Sequence, residues 1–137
     1  MKVIGIIGAG SMGSGIAQVA ATAGHKVILL DSSKPMLEKA KQSLKKILDR
    51  LAEKGKLTKT EAGTILDRIQ FTDTLQEFDS CDLIIEAIIE DLNIKKQIFR
   101  ELESIVDKKC ILATNTSSLS VSAIASACDN PQRVLGI

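Results

Sequence analysis

Short apolar runs alternate along the chain with longer stretches in which apolar residues recur every three or four positions. The short runs predict strands, and the longer stretches predict amphipathic helices. The predicted strands are 2–7, 26–30, 69–72, 83–87, 110–113 and 133–137, and the predicted helices are 11–23, 33–53, 58–66, 91–106 and 121–127. Strands that alternate with helices pair in parallel through right-handed crossovers, so the pattern predicts the α/β class with a doubly wound, mostly parallel sheet.

Local signals mark several of the predicted helix ends. Gly24 follows the first helix, where a left-handed cap is expected. Pro35 lies in the first turn of the second helix, and Thr58 and Glu61 have the spacing of a capping box. The two helices over residues 33–67 form a helical-hairpin insertion after the second strand, hereafter the arm. We expect one domain over residues 1–137.

Composition excludes several classes of function. The 137 residues are 45% apolar and carry a formal net charge of +1, which suits one domain with a real core and gives no field that attracts nucleic acid or anionic lipid. Tyr and Trp are absent, so a base-stacking surface is not expected. No apolar run approaches the ~20 residues that cross a bilayer. We expect neither a nucleic-acid nor a membrane partner.

The cysteines favour a cytoplasmic protein. Cys81, Cys110 and Cys128 are odd in number, widely spaced and embedded in small or apolar surroundings, which predicts buried, reduced thiols. A secretory signal is the alternative for the N-terminus, because Lys2 precedes an apolar stretch and small residues. Glycines interrupt that stretch, however, and strand, turn and helix describe it better.

Three glycines after the first strand have the spacing G-x-G-x-x-G. Gly8 permits a tight turn, Gly10 lets a pyrophosphate approach the backbone, and Gly13 lets the following helix pack close to the sheet. The free N–H groups of that helix would then face the phosphates, assisted by the helix dipole. The pattern predicts a dinucleotide site.

Asp31 ends the second strand, where a carboxylate would accept hydrogen bonds from the adenosine ribose. Because a carboxylate repels a 2′-phosphate, it favours NAD over NADP, although Ser32 and Ser33 leave room for the latter. Two alternatives stay open: the glycines and Asp31 are only turn residues, or the site is a nucleoside site of methyltransferase type.

Two later segments reach the same edge of the sheet. Glu90 and Lys95 begin the helix after the fourth strand, and the residues alone favour a solvated helix start for both, with Glu90 favourable to the dipole. Asn115, Ser117 and Ser118 follow the fifth strand; they either cap the next helix or bind a nicotinamide carboxamide or a substrate hydroxyl.

A base for alcohol oxidation is missing from this edge. His25, the one histidine, is predicted at the opposite, amino edge of the sheet. Lys95 is a weak base unless it is strongly desolvated. The sequence also stops inside an apolar strand, so we expect that the polypeptide has been cut short.

The chain resembles the NAD-binding domain of 3-hydroxyacyl-CoA dehydrogenases, of the 3-hydroxybutyryl-CoA dehydrogenase type, in the segments GAGSMGSGIAQ, CDLIIEAIIEDLNIKKQIF, ILATNTSSLS and RVLGI. The resemblance implies a Rossmann domain and NAD as the cofactor, and it implies no metal. The NAD contacts that it implies are Gly8, Gly10, Ser11, Met12, Gly13, Asp31, Ala87, Glu90, Lys95, Asn115 and Ser117. It places Ser117 near the substrate's 3-hydroxyl, and Lys54, with Arg50 second, at the coenzyme A moiety; a solvated basic face is the alternative for the last two.

The family's catalytic His opens a His-Phe-Phe-Asn-Pro run directly after the position of Ile137, and a helical dimerisation domain lies further on. The resemblance therefore implies an enzyme that interconverts 3-hydroxyacyl-CoA and 3-ketoacyl-CoA as a homo-oligomer, of which this chain is an inactive NAD-binding part without the C-terminal domain. Two alternatives remain: a non-catalytic NAD or acyl-CoA sensing module, and another β-hydroxyacid dehydrogenase.

Overall fold

All six strands of the described sheet run parallel, in the order β3-β2-β1-β4-β5-β6. The computed structural model describes residues 1–88, 90–116 and 118–137. Its elements are β1 (Val3–Ile7), α1 (Ser11–Thr22), β2 (Lys26–Leu30), α2 (Lys34–Glu53), α3 (Lys59–Asp67), β3 (Ile69–Thr72), β4 (Leu83–Glu86), α4 (Leu92–Ile105), β5 (Ile111–Thr114), α5 (Ser118–Ala125) and β6 (Val134–Gly136), with short 3₁₀ helices at Leu75–Ser80 and Pro131–Arg133. The predicted doubly wound α/β fold is confirmed. The strand order reverses between β1 and β4, which places the ligand crevice of such a sheet at their carboxyl ends.

Alternate residues of each strand point to opposite faces of the sheet and build two cores. Val27 and Leu29 of β2 pack with α1, α2 and α3, whereas Ile28 and Leu30 pack with α4, α5 and the first 3₁₀ helix. This continuous burial explains why the central strands are apolar at nearly every position, as strands covered on both faces must be.

The arm is part of the first of these cores. Ala40, Leu44 and Leu48 of α2 and Ile65 of α3 are buried in the cluster that covers β1 and β2. The predicted start signals are confirmed. The Ser33 hydroxyl accepts a hydrogen bond from the N–H of Met36, and a full capping box links Thr58 and Glu61, a kind of cap that contributes about 1 kcal/mol.

Apart from shifts of one or two residues at element ends, three elements differ from the prediction, and one of them is the unpredicted 3₁₀ helix Pro131–Arg133. Helix α5 begins at Ser118 rather than at residue 121, because serines are compatible with a first helical turn and the apolar spacing does not mark it. The 3₁₀ helix Leu75–Ser80 was not predicted. Its main contribution to the core is one fully buried residue, Phe78, and a helix this short leaves no clear helical period in the sequence.

The three cysteines are free and buried, as predicted. Burial raises the pKa of the Cys81 thiol to about 12 and that of Cys110 to about 11, so these thiols behave as small apolar core residues. None of the helices in the described part of the chain combines the length and the apolar character that a membrane crossing requires.

Candidate functional site

The turn between β1 and α1, residues 8–13, is hereafter the glycine turn. Gly8 has a φ of +109°, and a Cβ added there would lie 2.6 Å from the carbonyl oxygen of Ala87 on the neighbouring strand end. Its N–H donates to the carbonyl of Leu30 across the sheet (2.8 Å). Both the backbone conformation and the space therefore require glycine here.

Helix α1 approaches this turn closely. A Cβ added to Gly13 would lie 1.7 Å from the carbonyl oxygen of Gly8, which is the close helix–strand packing expected of the third glycine. Gly10 differs, because an added Cβ would meet nothing within 4 Å. It is the N-cap of α1 and offers no capping side chain, and no acidic residue lies in the first turn. The N–H groups of this first turn thus have no intrahelical acceptor and suit an anion.

Asp31 connects the glycine turn to the start of the arm. Its Oδ2 accepts a hydrogen bond from the N–H of Ala9 (3.0 Å), and its Oδ1 accepts one from the N–H of Ser33 (2.9 Å). Each carboxylate oxygen can accept a further hydrogen bond, so the side chain keeps capacity for a hydroxyl group.

A cleft of about 540 Å³ opens over the carboxyl ends of β1, β2 and β4. Gly8, Gly10 and Asp31 line it at the glycine turn, and apolar side chains line its walls. The apolar residues are Ile7, Leu30, Met36, Leu75, Ala87, Ile88, Ile94 and Ile98. Apolar walls with a few convergent polar groups are typical of a site for a flat, partly polar ligand such as a nucleoside.

Beyond β4 and β5 lies a group of polar side chains, hereafter the polar cluster: Glu86, Glu90, Lys95, Thr114 and Thr116. The Lys95 ammonium lies 3.2 Å from Glu86 Oε1 and 2.9 Å from Glu90 Oε1. The Thr114 hydroxyl donates to Glu86 (2.6 Å), and the Thr116 hydroxyl donates to Glu90 (2.7 Å). Three elements thus meet through side chains at the edge where the crevice lies.

Burial within the polar cluster corrects one prediction. Lys95 is only 1% exposed and Glu86 is fully buried, so Lys95 is not part of a solvated helix start. Two carboxylates meet the charge of Lys95, as a buried ammonium requires. Glu90 does lie at the surface, with 66% of its side chain exposed. The hydrogen bonds from Lys95 and then from Thr116 hold its pKa below the ordinary value of 4.5.

Two further predicted residues lie beside the polar cluster. The Asn115 side-chain amide donates to the sulfur of Met12 at the start of α1, and its backbone N–H donates to the carbonyl of Glu86 (3.1 Å). The N–H of Ala87 donates to Ile7 (2.8 Å). Asn115 therefore joins the glycine turn to the polar cluster. The prediction for Ser117 lies outside the described residues.

A family model described as "3-hydroxyacyl-CoA dehydrogenase, NAD binding domain" matches residues 3–137. The chain belongs to this family. It is an NAD-binding domain of the 3-hydroxyacyl-CoA dehydrogenases, which agrees with the resemblance and the cofactor drawn from the sequence.

The relatives agree with this assignment. Proteins named "Probable 3-hydroxybutyryl-CoA dehydrogenase" from Deinococcus radiodurans and Bacillus subtilis are 47% and 45% identical over 97% and 100% of this chain. The chain spans about half the length of these curated relatives, 48% of each. The crystal structure of 3-hydroxybutyryl-CoA dehydrogenase from Escherichia coli K12 superposes on this chain with a TM-score of 0.94 at 38% sequence identity. The matched region covers 98% of this chain and 29% of the Escherichia coli chain.

Three predicted residues of this NAD-binding domain lie away from the cleft. Lys54 and Arg50 are exposed at the end of α2. Arg50 shares a shallow depression with Lys45 and Lys46, in which Asp49 and Glu53 also lie. His25 accepts a hydrogen bond from the backbone N–H of Lys2 (3.1 Å), at the amino edge as predicted.

Three of the five residues of the polar cluster were not predicted from the sequence. Glu86, Thr114 and Thr116 were not singled out, although Glu86 and Thr114 each end an otherwise apolar strand. A charged residue inside such a run was the available signal, since charges are almost never fully buried without a partner.

Proposed function

We propose that the whole protein is an NAD-dependent oxidoreductase that interconverts 3-hydroxyacyl-CoA and 3-ketoacyl-CoA, with 3-hydroxybutyryl-CoA as its substrate. This chain supplies the NAD site. The observation that carries the proposal is the uncapped, glycine-lined start of α1 beside Asp31. The names of the relatives support the substrate class.

The glycine turn and Asp31 fit the adenosine diphosphate half of NAD. Gly10, Ser11 and Met12 would offer backbone N–H groups to the pyrophosphate, since no side chain caps the helix. Asp31 would accept hydrogen bonds from the ribose hydroxyls, and its charge favours NAD over NADP. A Cβ added to Gly10 would point into open space, which leaves room for the phosphates.

The nicotinamide half is assigned to the other end of the cleft. Ala87, Glu90, Lys95 and Asn115 lie where β4 and β5 end, and Ser117 follows in the sequence. In this proposal Ser117 orients the 3-hydroxyl of the substrate. Bound NAD would supply the hydride acceptor for oxidation of that carbon, while the protein must supply a base for the hydroxyl proton.

Neither His25 nor Lys95, the two candidate bases among the described residues, is suitably placed. The chain's one histidine, His25, lies at the opposite edge of the sheet. Lys95 is engaged by two carboxylates and cannot approach a substrate without leaving both. We therefore propose that the catalytic histidine belongs to a further, helical domain, through which the protein also forms a homo-oligomer, and that this chain alone binds NAD without turnover.

The arm is assigned to the coenzyme A moiety. Lys54 and Arg50 are exposed on it, and Lys45 and Lys46 lie beside Arg50, so several cations are within reach of phosphates. An acyl-CoA is thus the proposed partner. The cytoplasm is the proposed location, which the free, buried cysteines favour.

Calorimetry of the chain with NAD, NADP and ADP-ribose tests the cofactor site. We expect NAD to bind, NADP to bind more weakly, and Asp31→Asn to lower the affinity for NAD at least about tenfold, the loss of a hydrogen bond to a charged group. Absence of heat with NAD at millimolar concentration would refute the assignment. If the isolated chain reduced acetoacetyl-CoA with NADH, the proposal that it lacks the catalytic base would be wrong.

The rival interpretation, a sensing module that is complete without further domains, is distinguished by the gene. Translation of the sequence after the codon for Ile137 is expected to give His-Phe-Phe-Asn-Pro. A stop codon at that point would favour the sensor.

A further inference from the structure

Glu86 is a fully buried carboxylate to which the proposed NAD contacts assign no role. It accepts hydrogen bonds from the Thr114 hydroxyl (2.6 Å) and from the N–H of Ile88 (2.7 Å), and it pairs with Lys95 (3.2 Å). A buried charge is costly even when paired, and a well-packed apolar pair of the same volume is often as stable or more stable. Stability alone therefore gives no reason for this ion pair.

The contacts continue from Glu86 to the surface. Lys95 is a long, flexible side chain that would rotate freely if only its stem were packed. Here its ammonium is fixed between buried Glu86 and exposed Glu90. Glu90 is in turn fixed by Lys95 and by the Thr116 hydroxyl. The exposed Glu90 carboxylate thus has a defined position because the buried Glu86 carboxylate holds its partner, Lys95.

The same residue also fixes the backbone after both strands. The N–H of Ile88 binds the Glu86 carboxylate, and the N–H of Asn115 binds the Glu86 carbonyl (3.1 Å). The Ile88 contact depends on the Glu86 side chain, whereas the Asn115 contact is a backbone hydrogen bond that any residue at position 86 would make.

We propose that Glu86 is a positioning residue for the nicotinamide half of the bound dinucleotide, and that it acts through Lys95 to hold Glu90 and the segment after β5 in place. This inference rests on the proposed function. Glu86 touches neither cofactor nor substrate in this role, so it affects the nicotinamide end and leaves the adenosine end unchanged.

Glu86→Gln tests the proposal with little change in volume. The amide has one acceptor oxygen and one donor nitrogen. If the oxygen faces Lys95 and Thr114, the nitrogen opposes the N–H of Ile88; if it faces Ile88, the nitrogen opposes the Lys95 ammonium. Either orientation loses a contact that the carboxylate makes, and the charge is lost in both.

The test measures two dissociation constants of the 137-residue chain, one for NAD and one for ADP-ribose, which lacks nicotinamide. The readout is the dissociation constant of ADP-ribose divided by that of NAD. We expect the unchanged protein to favour NAD, and Glu86→Gln to lower its NAD affinity at least about fivefold while ADP-ribose stays within about twofold. A lost hydrogen bond to a charged group is large enough for this change.

Glu103→Gln is the matched control. Glu103 lies toward the other end of α4, 11% exposed, where it pairs with Arg133 (3.6 Å) and accepts the N–H groups of Asp129 and Asn130. Glu103→Gln removes a charge and hydrogen bonds as Glu86→Gln does. It should therefore lower the melting temperature without changing the ratio of the two dissociation constants. Glu86→Asp keeps the charge but shortens its reach, and it replaces Glu86→Gln in the test if the latter does not fold.

The outcomes separate the two proposals. If the unchanged protein binds neither NAD nor ADP-ribose, the proposed function fails. If it binds both equally, or if the Glu86 variants weaken both ligands alike or neither of them, the proposed function stands and the positioning role is overturned. A loss confined to NAD, absent from Glu103→Gln, supports the role.

Discussion

At the glycine turn the local structure depends on backbone geometry, whereas at the polar cluster it depends on side chains from three elements. Gly8 and Gly13 are required because a single Cβ would collide with backbone oxygens. Glu86 and Lys95 instead take their places because each is the partner of the other. Gly8 and Gly13 tolerate no added Cβ but need no partner side chain. The Glu86–Lys95 pair depends on both charges, because the loss of one leaves the other buried without a partner. The following variants separate these two kinds of constraint.

The largest effect is expected from Gly13→Ala, which tests the backbone constraint. The new Cβ would lie 1.7 Å from the Gly8 carbonyl oxygen, so α1 must move away from β1. We expect the free energy of unfolding, measured with urea, to fall by more than about 4 kcal/mol, which is enough to unfold many domains.

Gly15→Ala is the control for this change. Gly15 lies in the same helix, and its added Cβ meets nothing within 4 Å. Alanine there should stabilise the protein by up to about 1 kcal/mol. Equal effects of the two substitutions would show that close packing at Gly13 is not the constraint.

The second effect in size is expected from Lys95→Met, which tests the side-chain constraint. Methionine fills the space of the stem but leaves the Glu86 carboxylate buried without its cation. Removing one partner of a buried pair costs about 3–5 kcal/mol, and urea unfolding at neutral pH should show a loss near the lower figure. Lys96→Met changes a half-buried neighbour and should stay within about 0.5 kcal/mol. A loss of that small size for Lys95→Met would mean that the polar cluster imposes no constraint.

The difference between the two regions explains what the sequence could predict. The glycine turn and the capping box at Thr58 follow from local spacing, because the residues that interact are close along the chain. Asp31 contacts Ala9, 22 positions earlier, and was predictable because a carboxylate at the end of the second strand is part of the dinucleotide-binding pattern. The burial of Lys95 depends on Glu86, nine positions earlier, and on a sheet edge that only the folded chain assembles. Composition therefore favoured a solvated lysine, and Glu86 was missed. The 3₁₀ helix at Leu75–Ser80 was missed for a related reason, since the burial of Phe78 depends on the folded core.

Gly10→Ala is expected to affect binding more than folding. The residue has a φ of −69° and open space at its Cβ position, so alanine fits without a collision. Because alanine is a poorer N-cap than glycine, we expect the free energy of unfolding to fall by up to about 1 kcal/mol. A methyl group at the start of α1 would meet the proposed pyrophosphate, and we expect the NAD affinity to fall at least about tenfold by calorimetry. Unchanged affinity would place the phosphates elsewhere.

The smallest effect is expected from protonation of Glu90, and it tests whether the outer half of the polar cluster exists in solution. Lys95, and to a lesser extent Thr116, lower the pKa of Glu90 below 4.5. A carboxyl group with a lowered pKa in the folded state stabilises the protein above its ordinary pKa, and this contribution disappears as the pH falls through the folded value. The difference in melting temperature between the unchanged protein and Glu90→Gln should thus be constant above about pH 5 and shrink at lower pH.

Carbon-13 NMR of the Glu90 carboxyl gives its pKa directly. Thr116→Val should raise this pKa only part of the way to 4.5, because the larger contribution comes from Lys95. A midpoint at or above 4.5 would contradict the Lys95–Glu90 contact and with it the route by which Glu86 reaches the cleft.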